Sequence, residues 1–338
     1  MNGHRIAAID HSFHKKTHST EFIFDILAEC GAVERFYCDR WQGGHGVDIE
    51  AIRRGRYDAI VFIQQMYRRR ELRRLGNPRK LVLVPMYDGL ADWTQKHWRR
   101  YRPFQLISFS STLHHIATAA GCRSVYVRYF PEVQAPVQQT AVRSRPGWTV
   151  FFWERQPAIT WATVKKVLGD LPVARVWYKP CLDPGARASE ITDEDRRRFN
   201  IEEVGWLPSR EEYLRFVAQS DIYVAPRRYE GIGMSFLEAM ALGKVVVAPN
   251  HATMNEYVTH VRNGVLYDLD RPVARFAGCD VRAMMAHVDR DRRTFAEEWK
   301  VGRTTFKTLI AAACAERQSL GGTVASWFRN FIDADPRL

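Results

Sequence analysis

The stretch Asp221-Ile222-Tyr223-Val224-Ala225-Pro226-Arg227-Arg228-Tyr229-Glu230-Gly231-Ile232-Gly233-Met234-Ser235-Phe236-Leu237-Glu238-Ala239-Met240-Ala241-Leu242-Gly243-Lys244-Val245-Val246-Val247-Ala248 decides how the whole chain is read. Residues 221–225 are mostly apolar and end at a proline, which predicts a buried strand. A Gly-x-Gly loop then feeds a helix, Gly243 stops that helix, and Val245 to Ala248 predicts a second buried strand. The unit is β-loop-α-β. Its loop glycines let backbone N–H groups approach a ligand closely, and its helix N-terminus offers partial positive charge to an anion. Two carboxylates bracket the loop, Glu230 before it and Glu238 on the helix. Ser235 and Glu238 also have the spacing of a capping box, which would give Glu238 a purely local task. Both readings stand on the sequence alone.

Outward from this unit, strands and helices alternate. Arg5 to Asp10 predicts a first strand, His11 to His18 a loop, and Ser19 or Thr20 the cap of a helix running to Cys30 and stopped by Gly31. Further strands are predicted at 33–38, 57–63, 80–85, 106–109 and 125–129, with a helix at 112–120. A polar, proline-bearing stretch, 131–147, reads as a linker. The alternation then restarts with a strand at 149–153, a helix at 159–168 and a strand at 173–178. A charged insert follows at 189–200, and a helix at 209–219 leads into the central unit. Residues 282–317 read as a long helix and 323–332 as a last one bearing Trp327, Phe328 and Phe331. This alternation predicts an α/β protein of doubly wound parallel sheets, and 338 residues exceed what one core usually serves. The expected division is 1–140, 148–315, and a closing helix within 316–338.

Composition narrows the classes. No stretch approaches the ~18 apolar residues that span a bilayer, and a strand so close to Met1 leaves no room for a signal peptide. Six scattered cysteines without a Cys-x-x-Cys pair fit reduced thiols in a cytoplasmic protein better than disulfides or zinc. The net charge is +12, and residues 1–140 carry 21 Lys and Arg against 13 Asp and Glu, so the first part holds most of the excess. An anionic partner suits that balance.

Glu230-Gly231-Ile232-Gly233, then Leu237-Glu238-Ala239-Met240-Ala241-Leu242-Gly243, then Val245 to Ala248 resemble the Glu-x7-Glu signature of retaining glycosyltransferases of the GT-B fold, family 4 in particular. The likeness is best over 149–268; Ile232 departs from the usual aromatic, and Arg227-Arg228 from the usual small residues. The resemblance implies two Rossmann-like domains facing a crevice. It also implies a nucleotide-diphosphate sugar as donor (UDP- or GDP-linked), no required cofactor, and transfer with retention to a saccharide or lipid-linked acceptor in surface polysaccharide or lipopolysaccharide synthesis. In that family the second glutamate binds the ribose hydroxyls and the first contacts the donor sugar, which would be Glu238 and Glu230 here. Amides of Gly231, Ile232, Gly233, Met234 and Ser235 would meet the diphosphate.

The family also places an arginine after the first strand of the second domain and a lysine about five positions on. Arg155 fills the first place, with a surface ion pair as its alternative reading. Thr160 stands in the second, so Lys179, at the end of the next strand, is the expected replacement. Trp206, in Gly205-Trp206-Leu207, reads first as core and otherwise as a wall for the base. In the first-domain loop, Lys16 and Thr17 would reach a phosphate or the acceptor, and the loop resembles the His-x-x-x-x-Thr-x-Ser loop of some family 4 relatives. Asp88, at a strand end, is either an acceptor contact or a turn cap. His11, His14 and His18 read as solvent-facing residues, with no metal expected. Arginines 68–74, and Lys96, Arg99, Arg100 and Arg102 among Trp93, Trp98 and Tyr101, suggest an anionic membrane surface at the cytoplasmic face or plain solvated helices; nucleic acid fits them less well. The rivals are an epimerase of the same fold and a non-catalytic carbohydrate or nucleic-acid binder.

Overall fold

Runs such as Ile6-Ala7-Ala8-Ile9 and Val245-Val246-Val247-Ala248 are buried on both faces, as parallel strands covered by helices require. The computed structural model describes residues 3–133, 146–182, 185 and 187–316. Its strands are β1 (Arg5–His11), β2 (Ala32–Cys38), β3 (Ala59–Ile63), β4 (Leu81–Val84), β5 (Gln105–Ser108), β6 (Arg123–Tyr126), β7 (Trp148–Glu154), β8 (Val173–Pro180), β9 (Ile201–Glu203), β10 (Ile222–Val224), β11 (Val245–Pro249) and β12 (Gly264–Tyr267). They form two six-stranded sheets, ordered β2-β1-β3-β4-β5-β6 and β12-β11-β10-β7-β8-β9. Every pairing is parallel.

Strand order fixes where a ligand sits. In open parallel sheets the crevice opens outside the carboxyl ends of the strands, where the order reverses. In the second sheet that point lies between β7 and β10 and is lined by Arg155 and the Glu230 loop. In the first sheet it lies between β1 and β3, beside His11–His14 and Gln64. Gln64 is held at φ 59°, in the left-handed region that a non-glycine residue rarely occupies.

The expected strand at 125–129 is shorter: β6 stops at Tyr126, and Val127, Tyr129 and Phe130 continue as buried irregular chain. Strands β9 and β12 carry too few residues to stand out in the sequence.

One helix, Val281–Ala315, spans 35 residues, about 52 Å at 1.5 Å per residue. Its first turns pack on the second sheet through Val281 and Met284. Its last turns join the first-domain core, where Phe306 stacks on Phe109 with ring centroids 6.2 Å apart. Arg303 and Lys307 both pair with Glu29 of the first lobe, Lys307 at 2.6 Å. At Gly302 the helix backbone rests on Val127, whose Cγ1 would lie 2.8 Å from a Cβ built there. This helix therefore already crosses between the lobes. The closing helix expected within 316–338, with Trp327, Phe328 and Phe331, lies outside the described residues apart from Glu316, as does most of the 131–147 linker.

Among the described residues no helix is long and apolar enough to cross a membrane. Trp98 and Tyr101 are buried, packed with Trp93, so the aromatics expected to mark a membrane face belong to the core instead. Arg74 bridges Glu50 and Arg40 bridges Glu71, which makes part of the 68–74 cluster a solvated ion-pair surface.

Candidate active site

The helix that follows the glycine loop runs Met234–Ala241, with Gly233 as its N-cap at φ 85°. A Cβ at Gly233 would fall 1.9 Å from Cε1 of Phe236, so both backbone angle and packing require glycine there. Because Gly233 is the cap, Ser235 and Glu238 lie inside the helix and the capping box does not form. Glu238 is instead buried, 6% exposed, and accepts from Arg210 Nε at 2.8 Å and Nη2 at 2.7 Å. Both contacts fall on Oε1. Burial pushes this carboxyl above its usual range against the pull of Arg210. Glu230 is also buried, and its backbone carbonyl accepts from Thr253 Oγ1 at 2.8 Å, which pins the entry to the loop.

The two lobes meet at this loop. A Cβ on Gly231 would lie 2.8 Å from Asp88 Oδ1 and 3.0 Å from Met86 Cβ of the first lobe. Asp88 accepts from its neighbour's amide, Gly89 N, at 3.0 Å, as a turn residue does, and its other oxygen faces Arg227 Nη1 at 3.4 Å. The two readings of Asp88 are thus compatible. Burial raises its pKa and Arg227 opposes the rise.

Lys179 is buried at the end of β8, next to Trp153 in the strand register. Its Nζ lies 4.2 Å from the Trp153 ring centroid and 5.2 Å from that of Trp206. Burial lowers its pKa, and the nearby charge of Arg155 adds to the effect. The Arg155 guanidinium lies over the same Trp153 ring, 5.1 Å from the centroid. Trp206 is not a core residue: it is 67% exposed on the loop after β9. From the opposite lobe, Lys16 Nζ approaches the same indole to 5.0 Å. One tryptophan is therefore flanked by a lysine from each lobe. Thr17 bonds to Ser19, 3.1 Å between hydroxyls, and stays exposed.

Thr160, in the place where a lysine was expected, caps the helix Trp161–Leu168 by accepting from Thr163 N at 3.3 Å. Its side chain is committed to that turn. Thr20 shows the reverse: it stands at the N-cap of Glu21–Cys30 without capping, because its hydroxyl donates to Asp10 Oδ2 at 2.7 Å. Asp10 is fully buried and also meets His14 Nδ1 at 2.7 Å. His11 stacks on Trp41, and burial beside His14 lowers its pKa to about 4. Among the described residues no group of three or more His, Cys, Asp or Glu side chains is placed to hold a metal ion. None of the cysteines is in a disulfide.

Sequence reasoning missed Arg210 and the contact that Glu256 makes with the other lobe. Glu256 lies on the second lobe, yet its carboxylate accepts from Ser110 Oγ (2.7 Å), Ser111 N (2.7 Å) and Thr112 N (3.0 Å), at the start of the first-lobe helix Ser111–Ala119. Nothing in the local sequence marks either partner.

Two parallel α/β sheets whose switch points face each other, bridged by a long helix, define the GT-B fold of glycosyltransferases. Solved structures agree on the fold: the lipopolysaccharide outer core galactosyltransferase WaaB superposes with a TM-score of 0.57 at 12% identity, over 93% of this chain and 99% of that one. HepE from Anabaena in complex with UDP gives 0.55 at 16%, over 93% and 99%. Residues 184–282 match the family model described as glycosyl transferases group 1. Among curated proteins, GDP-mannose:cellobiosyl-diphosphopolyprenol alpha-mannosyltransferase of Xanthomonas campestris is 25% identical over 144 residues, 40% of this chain and 38% of the relative. O-antigen chain mannosyltransferase B of Escherichia coli is 26% identical over 180 residues, 51% and 44%. The matched part thus spans less than half the length of either relative.

Proposed function

We propose that the protein is a retaining glycosyltransferase that moves a hexose from a nucleotide-diphosphate sugar to a saccharide or lipid-linked saccharide acceptor in surface polysaccharide or lipopolysaccharide synthesis. The observation that carries this reading is that Arg155, Lys179 and the glycine loop, whose helix carries buried Glu238, all stand at the carboxyl ends of the neighbouring strands β7, β8 and β10. The loop amides and the two cations stabilise the departing diphosphate without a metal. Glu238 Oε2, on the side of the carboxylate away from Arg210, accepts from the ribose, while Glu230 orients the donor sugar. Trp206 lies beside the nucleotide as an exposed wall, and Lys16, Thr17 and Asp88 face the acceptor from the first lobe. The acceptor hydroxyl attacks from the face the diphosphate leaves, which keeps the anomeric configuration.

One matched relative is named for GDP-mannose and the other as an O-antigen chain mannosyltransferase, and a structural neighbour is in complex with UDP, so guanine and uracil are the bases to try first. The test is calorimetric titration of UDP, GDP and ADP without added metal into wild type and Glu238→Gln. One diphosphate should bind, and the substitution should weaken it by about 1–3 kcal/mol, the range for removing a charged acceptor. If no diphosphate binds wild type, with or without magnesium, the nucleotide-sugar reading is wrong.

A further inference from the structure

Arg210 opens the helix Arg210–Ala218, where a cation is least welcome, since a helix N-terminus already carries partial positive charge. Glu211 and Glu212 follow in the same turn, as the dipole prefers, and Ser209 caps the helix by accepting from Glu212 N at 3.2 Å. The arginine is misplaced for its own helix, and local rules are broken most often at functional sites. Its guanidinium turns instead to Glu238, 28 positions away, giving Nε at 2.8 Å and Nη2 at 2.7 Å to a single oxygen, Oε1. An arginine fork can serve both oxygens of a carboxylate; here it serves one. Oε2 has no hydrogen-bond partner among the described residues, and it is not one of their sealed, unpaired polar atoms, so it keeps contact with solvent. The rest of Glu238 is buried. A buried carboxylate with one oxygen paired and the other open is an acceptor for hydroxyls as long as it stays charged.

We infer that Arg210 is a positioning residue for the donor: it pairs the charge of buried Glu238 at Oε1 and leaves Oε2 to receive the ribose hydroxyls. The inference rests on the glycosyltransferase reading, in which Glu238 meets the ribose. Burial pushes the Glu238 carboxyl up, and among the described residues Arg210 is the charge that pulls it back. Tyr213 of the same helix, Tyr223 of β10 and Tyr129 of the first lobe also feel the Glu238 charge. Burial drives all three hydroxyls further up, so they stay neutral where a carboxyl titrates. Glu230 acts on Tyr223, and Arg292 of the long helix meets the far end of the Glu238 helix, at Ala241 O (3.1 Å). Without Arg210 the carboxyl rises further and takes up its proton at a higher pH. Nucleotide affinity is then full above that raised value and lost as pH falls through it.

The test uses the full chain, titrated calorimetrically with UDP and GDP from neutral to mildly acidic pH. Wild type is compared with Arg210→Gln, Arg210→Lys, Glu238→Gln and the variant carrying both glutamines. Arg210→Gln should bind progressively more weakly than wild type as pH falls, by up to about tenfold for each unit the carboxyl has risen. Titration of the diphosphate itself affects both proteins alike and cancels in the ratio. Arg210→Lys keeps a point charge that can meet one oxygen, and should recover most of the loss. Once Glu238 is glutamine nothing there titrates, so adding Arg210→Gln should change affinity little at any pH. A loss in Arg210→Gln that is the same at every pH overturns the inference, because the arginine then touches the nucleotide itself or merely packs. So does a loss of equal size in the Glu238→Gln background, an Arg210→Lys protein as weak as Arg210→Gln, or no loss at all. Affinity that falls only in step with the thermal midpoint overturns it as well. If wild type binds neither diphosphate, with or without magnesium, the glycosyltransferase reading fails first and takes this inference with it.

Discussion

At the scale of single residues, the crevice is governed by charges taken out of water. Lys179 shows the consequence most directly, because burial lowers its pKa from the ordinary lysine value. Folding shifts the balance toward the neutral amine, so the charge is held at a cost. A bound diphosphate reverses that preference. Affinity for the diphosphate should therefore be full below the lowered pKa and lost as pH rises through it, before an ordinary lysine would titrate. Lys179→Arg, charged at any such pH, should keep affinity flat across the interval. Calorimetry from neutral to alkaline pH decides this, and parallel curves for the two proteins would remove Lys179 from the diphosphate site. Residues of this kind were unevenly legible. Glu238 and its glycines could be read because they lie within one turn-and-helix unit, where spacing alone sets geometry. Trp206 was misread, because tryptophan ordinarily signals burial and nothing nearby shows that two lysines from different lobes flank it. Arg210 was invisible: it meets Glu238 from 28 positions away.

Among elements, the telling contact is the carboxylate of Glu256 seated on the start of helix Ser111–Ala119, 146 positions from Ser110. Ser110 Oγ still accepts from Leu113 N at 3.2 Å, so the helix keeps its own cap without Glu256. Glu256 adds charge at the positive end of the helix and ties the lobes together. Glu256→Ala should lower stability by about 1–2 kcal/mol, and a double-mutant cycle with Ser110→Ala should give a coupling of about 0.5–3 kcal/mol. Urea unfolding supplies the four free energies; strictly additive losses would show that the contact joins nothing. The elements themselves were the most legible level. Buried strands announce themselves by continuous apolar runs, and the order of strands and helices told the fold class. What failed were short pieces, β9 and β12 and the end of β6, where three or four residues give periodicity too little to work with.

Across the whole molecule, one core runs through both lobes. Phe306 is fully buried where the long helix reaches the first sheet, and it shares a cluster with β11 residues of the second. Phe306→Ala should cost about 3–5 kcal/mol, as large-to-small changes in packed cores do, read from the denaturant midpoint. A loss below about 1 kcal/mol, the scale of a surface change, would mean the lobes do not lean on each other there. The sequence announced a long helix over 282–317 but not that it would be the crossing element, since which sheet a helical face meets depends on partners hundreds of residues away. Gly302 gives that crossing a property of its own. The helix lies backbone-first against Val127 because position 302 has no side chain, so the gap between lobes is set at a hinge-pin without width. A methyl group there is a shim, driven in at a point outside the site that holds Glu238 and Lys179. It would change the aperture of the crevice while leaving every atom of its chemistry in place.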